Sequence, residues 1–166
     1  MKRTKSPIRC MRGKVKTEVT GAEQSKLIIP GSRPGYAFRV IDFKWWTSTV
    51  AGSTQWNGNN TGSAFLATQP DFNPLSYGMA DLSSPTQFAW CWIYAPNDYT
   101  IQHFETIIDP THMIYDELYF NYQQQNDTPA GNVVVSYMIV LEEYEVTANE
   151  QILYQLQEDS QDVGDR

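Results

Sequence analysis

The stretch that most constrains the fold is Val133 to Val146, the longest and clearest strand pattern in the chain. It is rich in β-branched and aromatic residues and holds neither Gly nor Pro, so it reads as a strand. A second strong strand runs from Tyr36 to Trp46. Strict alternation puts Tyr36, Phe38, Val40, Asp42, Lys44 and Trp46 on one face and Ala37, Arg39, Ile41, Phe43 and Trp45 on the other. Neither face is purely polar, so both are expected to be at least half covered.

A further strand is expected at Lys14–Thr20, where Val15, Thr17 and Val19 alternate with Lys16 and Glu18, and Lys26–Ile29 is a short apolar run ended by Pro30. Others fall at Ser63–Thr68, Thr86–Ala95, Ile101–Ile108 and His112–Gln123. Turn residues separate them at Pro30 to Gly35, Pro96-Asn97-Asp98, and Gln123 to Gly131, and the Gly/Ser/Thr/Asn-rich stretch 47–63 reads as a short edge strand plus a loop. Residues 69–85, broken by Pro70, Pro74, Gly78 and Pro85, suit a link crossing between two sheets. Only the end reads as helix. Thr147-Ala148-Asn149-Glu150 matches a capping box, and Ile152, Leu153 and Leu156 follow at helical spacing. The expected fold is all-β: an eight-stranded jelly-roll sandwich over 17–146, with a basic N-terminal arm (1–16) and a short C-terminal helix with an acidic tail (147–166).

Charge is unevenly placed. The formal net charge is −7, yet residues 1–16 hold seven of the twelve basic residues and no acid. Those cations are Lys2, Arg3, Lys5, Arg9, Arg12, Lys14 and Lys16; residues 1–13 read as a disordered tail. A basic arm on an acidic body points to a polyanion at one end, and clustered Lys and Arg neutralise phosphates without reading sequence. Charged residues make up only 19% and aromatics 13%, a balance that favours burial of some surface by a partner. No apolar run approaches a membrane span, and no apolar stretch follows Met1-Lys2-Arg3 to make a secretory signal.

The residues that carry chemistry are few. Cys10 lies in the basic arm and Cys91 in an apolar run, which argues against a disulfide framework. His103 with Glu105, and Asp109 with His112, lack a third ligand at zinc-type spacing and read as ordinary strand and turn residues. Glu142, Glu143 and Glu145 could supply a carboxylate pair or a calcium contact between subunits, but read first as a solvated strand end with Glu142 on the face opposite the other two. No Gly-x-Ser-x-Gly, Cys-x-x-Cys or phosphate loop is present. The glycosylation tripeptides at Asn59 and Asn126 are common by chance. Trp45 and Trp46, being adjacent, face opposite sides of their strand; Trp90 and Trp92 share a face and are expected in the core. Together with Trp56 these tryptophans are packing residues before they are a sugar platform. No enzyme activity and no cofactor is expected.

Three runs carry a resemblance: Ile107-Ile108-Asp109-Pro110-Thr111-His112, then Asp116-Glu117-Leu118-Tyr119-Phe120, then Tyr137 through Val146. They resemble the single jelly-roll capsid proteins of small environmental circular DNA viruses, as does the order of arm, strand-rich body, long last strand and short acidic tail. The close resemblance covers about 40 residues and the rest is similar in layout. It implies a coat protein of the virion that self-assembles into an icosahedral shell and contacts viral nucleic acid, without sequence preference, through its arm. The arm is short for such coats: about 60 copies would carry on the order of 400 positive charges against a few thousand phosphates. More subunits, other cations, or an arm that ties subunits together would then be needed. The rival reading is a carbohydrate-binding or attachment module on a β-sandwich, with Trp56 as its test residue; an enzyme on a similar barrel ranks behind it.

Overall fold

The computed structural model describes residues 2–17, 22–29, 33–48, 60–68, 86–97, 100–103, 106–115, 117–125, 133–153 and 156. Nine strands follow in chain order: β1 (Lys2–Thr17), β2 (Ala22–Ile28), β3 (Tyr36–Ser48), β4 (Asn60–Ala67), β5 (Gln87–Asn97), β6 (Thr100–His103), β7 (Ile107–Ile108), β8 (Glu117–Gln125) and β9 (Val133–Glu145). They form two antiparallel sheets. One has three strands in the order β1-β9-β3, and the other runs β2-β8-β4-β5-β6 with β7 also on β5. The all-β expectation holds, with nine strands described where eight were expected.

The pairings are nested. The first strand pairs with the last, β2 pairs with β8, and β4 pairs with β5. Between these layers Phe38 of β3 exchanges backbone hydrogen bonds with Ile114, at 2.6 and 2.8 Å. A chain that pairs outside-in like this is one long hairpin folded over on itself. The fold-over adds the contacts of β3 with β9 and β4 with β8.

The sheets pack face to face through one apolar core. Phe43 meets Phe120 edge-on at 6.1 Å, Trp45 meets Tyr122 at 5.1 Å, and Phe120 stacks on Tyr137 at 4.7 Å. Phe38, Phe88, Leu66, Ile114, Leu118, Ile139 and Leu141 fill the rest and are almost wholly buried. Each such side chain contributes about 1.5–3 kcal/mol by leaving water. A second cluster of Phe65, Ala67 and Trp90, with Trp92 against it, lies on the other face of the larger sheet. Trp90 and Trp92 therefore share a face as expected, but not the face of the main core. The Trp90 indole N–H donates to Gln87 Oε1 at 2.9 Å, which satisfies its buried polar end.

Several expectations change. The segment read as a disordered tail is strand β1, in register with β9 from Ile8↔Glu142 to Thr17↔Val133. Gly13 lies under the Tyr137 ring, and a Cβ there would clash with the tyrosine side chain. Glycine is thus the residue that lets Tyr137 fold over β1 and reach the core. Strict alternation in β3 fails because a bulge separates Val40↔Leu141 from Asp42↔Val140. Ile41 is the extra residue, so Phe38, Val40, Phe43 and Trp45 all face the core. Residues 69–85 lie outside the described residues, but they join β4 to β5, which are neighbours in one sheet, so no sheet-to-sheet crossing is made there. Pro96 and Asn97 belong to β5 rather than to a turn, 101–108 divides into β6 and β7, and β8 starts at Glu117 rather than His112.

The turn into β3 uses Gly35 at φ +84°, a left-handed conformation that glycine adopts without strain. After β9 the chain turns helical at 148–153. The capping box forms as expected: the Thr147 N–H donates to Glu150 Oε2 at 2.8 Å, and the Glu150 N–H donates to Thr147 Oγ1 at 3.3 Å.

Candidate nucleic-acid interface

Because the arm is a strand, its cations are sorted by pleat. Arg9, Met11, Gly13 and Val15 are turned to the core side, while Ile8, Cys10, Arg12 and Lys14 are exposed. Of the seven expected nucleic-acid contacts, Lys2, Arg3, Lys5 and Lys16 have backbones in β1 but side chains outside the described residues. Arg9, Arg12 and Lys14 are described, and they do different things.

Arg9 is part of an internal pair. Its Nε donates to Glu143 Oε2 at 2.9 Å, Nη2 bonds the same oxygen, and the guanidinium lies 5.5 Å from the Phe38 ring centre. On the opposite face of β9, Arg39 Nη2 meets Glu142 Oε2 at 2.7 Å and lies over the Tyr144 ring, whose hydroxyl also donates to Glu142. Arg39 further donates to the Pro110 carbonyl at 3.3 Å. Glu142 and Glu143 are only 5% and 6% exposed, so the expected solvated strand end is corrected: these are buried carboxylates, each held by an arginine. They point to opposite faces as expected, which removes them as a cooperating acid-base pair. Glu145 is exposed.

Arg12 and Lys14 have no ion-pair partner among the described residues and point to solvent from the outer face of the three-stranded sheet. Register brings two β3 residues beside them. Arg12 and Lys44 flank Met138, and Lys14 and Trp46 flank Ser136. Lys44 is 61% exposed and lies 2.9 Å from Asp42, a surface pair worth little. Trp46 is 42% exposed. Sequence reasoning missed Lys44 and Trp46 as companions of the arm, because strict alternation through Ile41 does not reveal which β3 residues share an outward row with β1. Trp45, by contrast, is in the core and donates its indole N–H to the Cys91 carbonyl at 3.4 Å.

Of the residues weighed as metal ligands, His112 and Asp109 have structural contacts. The His112 ring stacks on Phe88 at 4.5 Å, and burial pushes its pKa down to about 4 against the opposing pull of the Asp109 carboxylate. Asp109 Oδ1 accepts from the Thr111 N–H at 2.8 Å, which closes a local turn. The His103 side chain, Glu105 and Trp56 lie outside the described residues. Among the described residues no three His, Cys, Asp or Glu side chains group as metal ligands, and no helix is long and apolar enough to cross a membrane. Cys10 is exposed and Cys91 buried, with no disulfide between them. No protein-family model matches the sequence, and no curated protein matches it.

Proposed function

We propose that this chain is a viral capsid protein: a jelly-roll domain that self-assembles into an icosahedral shell in the virion and contacts the packaged nucleic acid, without sequence preference, through cations of its N-terminal strand. The observation that carries the reading is the nested pairing of β1 with β9, β2 with β8, β3 with Ile114 and β4 with β5. A long hairpin rolled into two packed sheets is the jelly-roll plan, which capsid proteins use widely. Fold alone does not fix function, and the sequence resemblance over 107–146 adds the second support. The residues of that stretch serve the fold, in the Asp109 turn, the His112–Phe88 stack and the Glu142 and Glu143 pairs. No residue is assigned a catalytic role.

Self-association is supported by apolar side chains left on the surface. Ile152, Leu153 and Leu156 of the C-terminal helical segment are 54%, 61% and 57% exposed, and Ile8 and Ile41 stand out from the smaller sheet. An apolar helix face uncovered in its own chain gains by meeting another copy. Arg9 leaves the set of genome contacts because Glu143 holds it, whereas Arg12 and Lys14 keep that role and the remaining arm cations stay candidates.

Light scattering and negative-stain electron microscopy of the full chain test this, with the 260/280 nm absorbance ratio recorded. Closed particles of uniform size carrying nuclease-protected nucleic acid are expected. The double variant Leu153→Asp, Leu156→Asp is expected to stay near the monomer mass of 19.0 kDa. A wild-type chain that never leaves the monomer, with or without nucleic acid, sinks the coat reading in favour of a carbohydrate-binding module. Deleting residues 1–16 is a poor test, because it strips a whole strand from the smaller sheet.

A further inference from the structure

We infer that the outer face of the three-stranded sheet, at Arg12, Lys14, Lys44 and Trp46, is a binding platform for single-stranded nucleic acid, with a base stacked on the Trp46 indole and backbone phosphates on the three cations. The inference rests on the nucleic-acid part of the proposed function and names the form of ligand and the surface that takes it.

The strand register sets the layout of the patch. Arg12 and Lys44 lie one on each side of Met138, and Lys14 and Trp46 one on each side of Ser136. With neighbouring strands about 4.8 Å apart, each outer pair spans roughly 10 Å, and the two rows are separated by about 7 Å along the strands. Ser136, only 5% exposed, keeps the middle of the second row low, so the Trp46 ring and the Lys14 chain stand above it. At 42% exposure beside cations, the Trp46 ring is open to a stacking partner. A nucleobase on the ring and phosphates on the flanking charges match both halves of the patch.

The charges also set a direction. Farther along the same face come Asp42, which takes part of the Lys44 charge, and then Glu142, neutralised by Arg39. Among the described residues, the cations of this face that have no acid beside them are thus at the Arg12–Lys14 end. The stacking contact selects strand form: in a duplex the base faces are occupied by their neighbours, whereas a single strand offers them freely. Arginine and lysine contacts to phosphate occur with both forms. The patch thus favours a single strand, which offers both a base face for the indole and phosphates for the cations, over a duplex.

The test uses the full chain and two fluorescein-labelled probes, an oligothymidylate and a duplex of equal length, titrated by anisotropy between 50 and 300 mM salt as working conditions of the order that resolves counterion release. For three phosphate contacts on a single strand, the slope of log K against log salt is expected near −2, and Arg12→Ala with Lys14→Ala reduces its magnitude by about 1 or more while weakening both probes. Trp46→Leu is expected to weaken oligothymidylate at least about fivefold and to leave the duplex unchanged. If Trp46→Leu leaves both probes unchanged while the cation variant loses them, the stacking platform falls and the genome-contact reading stands. If the wild-type chain binds neither probe, that reading falls with it. If Trp46→Leu abolishes particle formation with oligothymidylate binding intact, the indole is covered by another copy of the chain and the inference is overturned.

Discussion

At one end of the three-stranded sheet, near Glu142, two arginines meet two buried carboxylates. About 15 Å farther along the same strands, Arg12 and Lys14 stand in solvent with no described acid beside them. The residue types are the same and the consequences are opposite. Arg9 and Arg12 sit three residues apart on one strand, yet the pleat turns Arg9 inward to Glu143 and Arg12 outward. Composition cannot separate them. A count of seven basic residues in an arm treats as one cluster what the sheet divides, among the described side chains, into a structural ion pair at Arg9 and exposed cations at Arg12 and Lys14.

The strongest way to break this comparison is to remove Arg9. Arg9→Ala takes the guanidinium away from the Glu143 carboxylate, which is nearly buried, and is expected to cost about 2–3 kcal/mol, below the full cost of breaking a buried pair because the Arg9 side chain is 35% exposed. Replacing both partners by leucine restores most of that loss, since the buried charge goes with the arginine. Urea midpoints at pH 7 read both variants. A loss for Arg9→Ala no larger than that for Arg12→Ala would erase the distinction between the two ends.

A smaller effect sharpens the paired end through pH. His112, between Phe88 and the Asp109–Thr111 turn, neighbours the Pro110 carbonyl that Arg39 binds. Its pKa is about 4 folded and near 6.5 unfolded, so between those values the unfolded chain holds the extra proton. Stability from this group is complete above pH 6.5 and is lost as pH falls toward 4, by on the order of 2 kcal/mol. Carboxylates titrate in the lower part of that window, so the measurement is the difference between wild type and His112→Phe. The wild type is expected to lose more stability from pH 7 to pH 4.5, and equal losses would show that burial does not hold the imidazole neutral.

Much of the architecture could be read from local pattern. Val133–Val146 is a strand because nothing in it interrupts pairing, and Thr147 with Glu150 forms the expected cap because its hydrogen bonds are local. What local pattern missed depends on contacts distant in sequence. The arm looks disordered by composition, but Met11 and Val15 pack on the core and Gly13 admits the Tyr137 ring, facts that belong to β9 as much as to β1. The bulge at Ile41 shifts the phase of β3, so reading period two straight through it puts Phe38 and Phe43 on opposite faces when both are in the core. Glu142 and Glu143 looked solvated because their arginines lie over a hundred residues away. The candidate platform was half legible: Arg12 and Lys14 were in view, but Lys44 and Trp46 join them only through the register of both strands with β9.

The smallest expected effect is on folding at the free-cation end, and its sign is informative. Arg12 and Lys14 project from one face two residues apart, about 7 Å along the strand, with Lys44 about 10 Å across from Arg12. Like charges at these distances repel weakly in water, so Arg12→Ala with Lys14→Ala is expected to change stability by no more than about 0.5 kcal/mol and in the stabilising direction at low salt. Screening shortens to about 3 Å at 1 M salt, so the gain disappears there. Thermal midpoints of the double variant and wild type at the two ionic strengths measure it. A destabilisation above about 1 kcal/mol would place these cations in structural pairs like that of Arg9, and the contrast between the two ends would fail. A small salt-sensitive gain means that the fold tolerates unneutralised charge here, which is the condition under which an anionic partner, rather than folding, accounts for the charge.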